Sequence, residues 1–159
     1  MDFLQILRTL LRNHVEFIVV GGVGAVLQGC PINTFDLDIV HATDDENVAR
    51  LEAALRDLNA YYRSEPERRL SPDPSHLKSA GHQLLMTRYG HLDLRGSIGR
   101  GHTYEILAPQ TINIETGAGR VQVLDLAVLI SVKEETAQEK DLAVLPLLKR
   151  TLEGKKRRQ

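Results

Sequence analysis

FIVVGGVGAVLQGCPINTFDLDIV, residues 17–40, decides how the rest of the chain is read. It opens with Phe17-Ile18-Val19-Val20, an apolar run too short for a helix and rich in β-branched side chains, which predicts a buried strand. Gly21-Gly22 interrupts the run. Val23 to Gln28 then reads as the first turns of a helix, ended by Gly29 and Pro31. A second strand, Thr34 to Val40, carries Asp36 and Asp38. Asp is a poor strand former, and two of them spaced by two residues project from the same face. Holding two like charges that close requires a cation, usually a metal.

Three phosphate-binding patterns compete for this stretch. The dinucleotide fingerprint G-x-G-x-x-G fails, because counting from Gly22 the third glycine position is Leu27. A P-loop fails as well: Gly24 to Gly29 has the right spacing, but Cys30 stands where the phosphate-binding lysine belongs. What survives is a glycine turn at a helix N-terminus, whose backbone N–H groups can hold phosphate, facing a D-x-D pair that can hold Mg²⁺.

That combination resembles the nucleotidyltransferase (polymerase-β-like) superfamily. The fuller string GGVGAVLQG…TFDLDIV is similar to its small single-domain bacterial members, related to toxin–antitoxin nucleotidyltransferases. The resemblance runs from about residue 15 to about residue 150. It implies an α+β fold, a mixed β-sheet flanked by helices, the minimal nucleotidyltransferase fold with C-terminal helices. Residues 1–153 would form one domain and residues 154–159 a basic tail. The chemistry it implies is metal-dependent transfer of an NMP from an NTP to an acceptor hydroxyl, with release of pyrophosphate. Asp36 and Asp38 would then hold Mg²⁺ (or Mn²⁺). The third catalytic carboxylate of the family comes from a strand in the region of residues 91–98, where Asp93 is the only acid. Gly21 and Gly22 would meet the nucleotide phosphates through their backbone. Lys133 and the pair Lys140-Asp141 resemble a recurring lysine and Lys-Asp element, which makes Lys133 a candidate nucleotide contact.

The remaining chain supplies the frame. Asp2 to Asn13 places Phe3, Leu4, Leu7, Leu10 and Leu11 on one helical stripe, a packing helix. Thr43 to Glu46 reads as a cap with acids in the first turn of a helix reaching Asn59. Arg63 to Ala80, with Pro66, Pro72 and Pro74, reads as a surface excursion with one helical turn near His76 to Ser79. Its basic residues Arg63, Arg68, Arg69 and Lys78 are candidates to contact an acceptor or the triphosphate, with a solvated loop the favoured reading. Gln83 to Tyr89 and His91 to Ile98 read as strands joined at Gly90. Period two puts His91 and Arg95 on the face of Asp93, Arg95 as an ion pair or phosphate contact and His91 as a bystander. Tyr104 to Leu107 reads as a short edge segment, and Thr111 to Leu124 as a hairpin turning at Thr116 to Gly119. Asp125 is expected to cap a helix over Leu126 to Thr136. A last helix from about Lys140 to Glu153 should be kinked or split by Pro146.

Composition narrows the function classes. At 159 residues the chain is one domain by length, and 42% apolar with 26% charged residues is ordinary for a soluble globular protein. A net charge of −1 gives no long-range attraction for nucleic acid. Cys30 is the only cysteine, which excludes an internal disulfide and a thiolate metal cluster. Met1 to Leu11 mixes charge into its apolar pattern, unlike a signal peptide, and no apolar run approaches the ~20 residues of a membrane span. The cytoplasm is the expected compartment and no membrane the expected environment. The acceptor stays open between protein, RNA and a small molecule. A second reading is a catalytically weak or inactive binding module, such as the member of a toxin–antitoxin pair that neutralises a partner protein.

Overall fold

The structure, a computed structural model, describes residues 1–136 and 139–158, with the side chains of Glu139 and Lys140 left aside. Helix α1 (Phe3–Arg12) starts where the Asp2 carboxylate accepts the Gln5 N–H, and it buries Ile6, Leu7 and Leu10. The apolar run then forms strand β1 (Phe17–Val20), buried at every residue. Helix α2 (Gly21–Leu27) follows with no intervening loop, and β2 (Asp36–His41) returns antiparallel to β1. Helix α3 (Asp45–Asp57), capped by Asp44 rather than Thr43, carries the chain over to the far edge. There β3 (Tyr61–Tyr62), β4 (His82–Thr87) and β5 (Gly90–Arg95) pair antiparallel, and β5 lies parallel to β2.

Helix α4 (Pro74–Lys78) is the helical turn of the excursion. A small hairpin, β6 (Ser97–Ile98) with β7 (His102–Thr103), stands apart from the main sheet. It leads through α5 (Tyr104–Leu107) to β8 (Thr111–Thr116) and β9 (Gly119–Leu124), with β9 parallel to β1. The chain closes with α6 (Leu126–Glu135) and α7 (Glu139–Arg157). The main sheet is mixed, with seven strands in the order β3-β4-β5-β2-β1-β9-β8. This is an α+β fold.

Alternation along the central strands divides the core between two faces. Phe17, Val19, Leu37, Ile39, Leu92 and Leu94 pack against α1 and α3. Ile18, Val20, Val40 and Leu124 pack against α2, α6 and α7. The second face carries the odd group out, because Asp36 and Asp38 share it with Val40 by period two. A buried polar side chain locks the elements of the first face. Asn47, fully buried on α3, accepts the Glu16 N–H at 2.7 Å and donates to the carbonyls of Glu16 and Ala42. It ties the entry of β1 to the exit of β2.

Several expectations are corrected. Tyr104–Leu107 is a turn of helix rather than an edge segment: Thr103 is extended before it and Pro109 starts a further tight turn after it. Asp125 occupies the N-cap position of α6 without a capping bond. The cap comes from Gln28, whose Oε1 accepts the Leu126 N–H at 3.0 Å while its Nε2 donates to Leu124 O at 2.8 Å. Pro146 does not split the last helix, which also absorbs Gly154 to Arg157 of the anticipated tail. Lys155 is pinned there by Gln28 Oε1 at 2.9 Å; Gln159 lies outside the described residues. Strand β5 ends at Arg95 because Gly96 runs against the backbone of Ser79 and Ala80, where a Cβ would have no room. No described helix is long and apolar enough to cross a membrane.

Candidate active site

Strand register assembles the acids. On the parallel pair β2–β5, Asp36 stands opposite His91 and Asp38 opposite Asp93. Side chains at paired positions of neighbouring strands share a face, so the three carboxylates lie side by side on the face that also receives α2 and α6. Asp93 is 4% exposed, a depth at which a carboxylate must be paired.

Each acid has a basic partner. Arg63 Nη1 lies 2.6 Å from Asp93 Oδ1. Arg95 Nη2 lies 3.2 Å from Asp38 Oδ1 and 3.9 Å from Asp93 Oδ2. His91 Nδ1 lies 2.6 Å from Asp36 Oδ1, so His91 is no bystander. Arg63, expected in a solvated loop, instead reaches from the end of β3 to the most buried of the three acids, held also by Leu85 O at 3.1 Å. Burial raises the Asp38 pKa to about 6; Arg95 opposes that rise and the Asp93 carboxyl adds to it.

Beside Asp38 opens a cleft of about 520 Å³, lined among others by Gly21, Gly22, Asp38, Arg95 and Lys133. Asp36 and Asp93 lie outside its lining. Lys133 reaches it from α6, with Nζ 3.5 Å from Asp141 Oδ1 on α7. Of Lys140, the other half of the Lys-Asp element, the side chain lies outside the described residues. Of the acids around Lys133, Glu135 accepts from the Arg100 N–H and pairs with His102 at 2.7 Å, which holds the β6–β7 hairpin at the cleft rim. Those bonds, the one to His102 first, hold its carboxyl below the usual range. Glu134 meets Lys149.

The two glycines are explained first by their own side-chain neighbours. Gly21 has φ +65°, and a Cβ there would collide with the Asp38 carboxylate. A Cβ on Gly22 would come 2.6 Å from Thr34 Oγ1. No side chain caps α2, whose first N–H groups belong to these residues. Gly21→Ala is therefore expected to cost about 2–3 kcal/mol through the left-handed backbone and the displaced carboxylate. Thermal unfolding would register this as a fall in Tm of several degrees; a variant as stable as wild type would contradict the geometry.

The donor set has the chemistry a divalent cation needs. Asp38 and Asp93 present hard oxygen ligands, and both already address one positive nitrogen, Arg95 Nη2, so they converge on a common cation position. The donor chemistry fits. As the side chains stand, no group of three His, Cys, Asp or Glu among the described residues is arranged to hold a metal, because Asp36 turns to His91.

No model of a known protein family matches the chain, and no curated protein matches it. Among solved structures it is similar to a Thermotoga maritima protein provisionally assigned as a nucleotidyltransferase, with a TM-score of 0.56. The fold is nucleotidyltransferase-like. The alignment covers 89% of this chain and 86% of the other at 17% sequence identity, a level that establishes architecture alone.

Proposed function

We propose that the protein is a metal-dependent nucleotidyltransferase of the small bacterial type, moving an NMP from an NTP to an acceptor hydroxyl and releasing pyrophosphate. The observation that carries this reading is the register of β2 and β5, which sets Asp38 beside Asp93 next to a cleft bearing Gly21, Gly22 and Lys133. A structural role alone gives no reason to place three adjacent carboxylates on one sheet face, two of them largely buried.

Asp36, Asp38 and Asp93 would hold Mg²⁺ or Mn²⁺, which supplies Lewis-acid stabilisation of charge on the phosphoryl oxygens. The chain itself has to align donor and acceptor and exclude water. Lys133 and the first N–H groups of α2 would take the polyphosphate, leaving the α-phosphorus toward Asp38. Asp93, on the side of the Arg63 loop, would orient the attacking hydroxyl. The acceptor approaches across β4, where Leu84, the register partner of Asp93, is 45% exposed.

The test is transfer of label from α-³²P NTPs, with Mg²⁺ or Mn²⁺, to candidate protein, RNA and small-molecule acceptors. Asp93→Asn is expected to lower kcat about a hundredfold with a small change in nucleotide affinity. A loss confined to affinity would move Asp93 to the nucleotide side.

A further inference from the structure

The guanidiniums in the site do more than pair surface charge. Arg95 follows Asp93 by two residues on β5 and so shares its face. Its Nη2 sits between the Asp38 and Asp93 carboxylates, while its Nη1 lies 2.9 Å from His82 Nδ1. Arg63 closes the other side of Asp93 at 2.6 Å. Two adjacent carboxylates at this depth repel one another, and a cation between them offsets the repulsion. The chain provides that cation itself.

Resting on the reading of this site as a metal–nucleotide centre, we infer that Arg95, backed by Arg63, is a resident counter-cation occupying the position a divalent metal must take. Metal can enter only when the guanidinium leaves. Because Arg95 also lines the cleft, it has somewhere to go: a polyphosphate bound there offers it new acceptors. Free divalent cation, arriving without an anion, would strand the guanidinium beside a like charge. The site is thereby closed to metal alone and opened by nucleotide, and the two ligands help one another reciprocally. Arg95 is a positioning residue in this account, acting through Asp38 and Asp93.

The experiment is Mn²⁺ binding in the absence of nucleotide, followed from the free-Mn²⁺ EPR signal, on the full chain. Wild type is expected to bind weakly. Arg95→Gln should bind at least about tenfold more tightly, since a unit charge within about 4 Å of the ligands is removed. Arg63→Gln should do the same to a smaller degree. Arg95→Lys, which keeps the charge, should stay near wild type, and Arg95→Gln combined with Asp38→Asn should lose the gain. Circular dichroism checks that each variant is folded, and Arg63→Gln carries the test if Arg95→Gln is not. Binding that depends on Asp38 but does not tighten in either glutamine variant would overturn the inference while leaving the metal site standing. Binding indifferent to Asp38 in every variant would overturn the metal site itself.

Discussion

Asp38→Asn is expected to abolish transfer, by about 10³-fold or more, while making the protein more stable at neutral pH. The activity loss follows if the residue is a metal ligand beside the reacting phosphorus, where several kcal/mol of charge stabilisation are at stake. The stability gain follows from the cost of ionising the group. Its folded pKa of about 6 lies above the 3.8 of the free side chain, and this already includes the attraction of Arg95. A carboxyl whose pKa is raised by folding holds its proton more tightly in the folded state. The penalty is absent below about pH 4, grows as pH rises through 6, and is complete above it. Removing the charge should therefore stabilise the metal-free protein by about 3 kcal/mol at pH 7.5, or roughly 6–12 °C in Tm, and by little near pH 4. Thermal unfolding of both proteins across that range checks the sign. A variant less stable than wild type at pH 7.5 would show that Asp38 is a structural ion-pair member rather than a strained acid.

Asn47→Ala is expected to be strongly destabilising. The side chain is fully buried and makes three hydrogen bonds to backbone groups, two at Glu16 and one at Ala42. The Glu16 carbonyl keeps a partner in the Ala42 N–H, and the Ala42 carbonyl keeps His41 Nδ1. The part-buried Glu16 N–H loses its side-chain acceptor, at a cost toward the lower end of the about 1–3 kcal/mol of a buried unpaired donor. With the lost bonds and the small cavity, the total comes to about 3 kcal/mol, or roughly 6–12 °C in Tm. Chemical denaturation would measure it. A change below about 1 kcal/mol would mean that water replaces the amide and that β1 and β2 are tied by their ladder alone.

Part of this architecture is legible in the sequence. A β-branched run broken by Gly21-Gly22 and followed by alternating Asp and apolar residues fixes two neighbouring strands and the face of their acids, because period two is a local property. Asp93 and Lys133 become candidates only through the resemblance, Asp93 as the one acid where the family carries its third carboxylate and Lys133 as its recurring lysine. What stayed hidden depends on register and distance. His91 meets Asp36 only because β2 and β5 are parallel with those residues opposed, and no local pattern encodes that pairing. Arg63 looked like loop charge; it meets Asp93 because the two-residue strand before it pins its backbone beside β4. Gln28 caps a helix that begins 98 residues later, a role that belongs to the tertiary fold. The last helix runs on past Pro146, where Leu145 and Leu148 pack on the second face, so the split is not seen.

Nucleotide and metal are proposed to meet at the D-x-D acids. The most direct measurement is a thermal-shift panel with each NTP, with and without Mg²⁺ or Mn²⁺, on wild type and Asp36→Asn, since a ligand that binds only the folded state raises Tm whatever the acceptor. The expected result is a shift that requires the metal and disappears in Asp36→Asn. No shift with any NTP at several times a millimolar concentration, or an equal shift in the variant, would contradict it and direct the search toward a binding module and its partner protein.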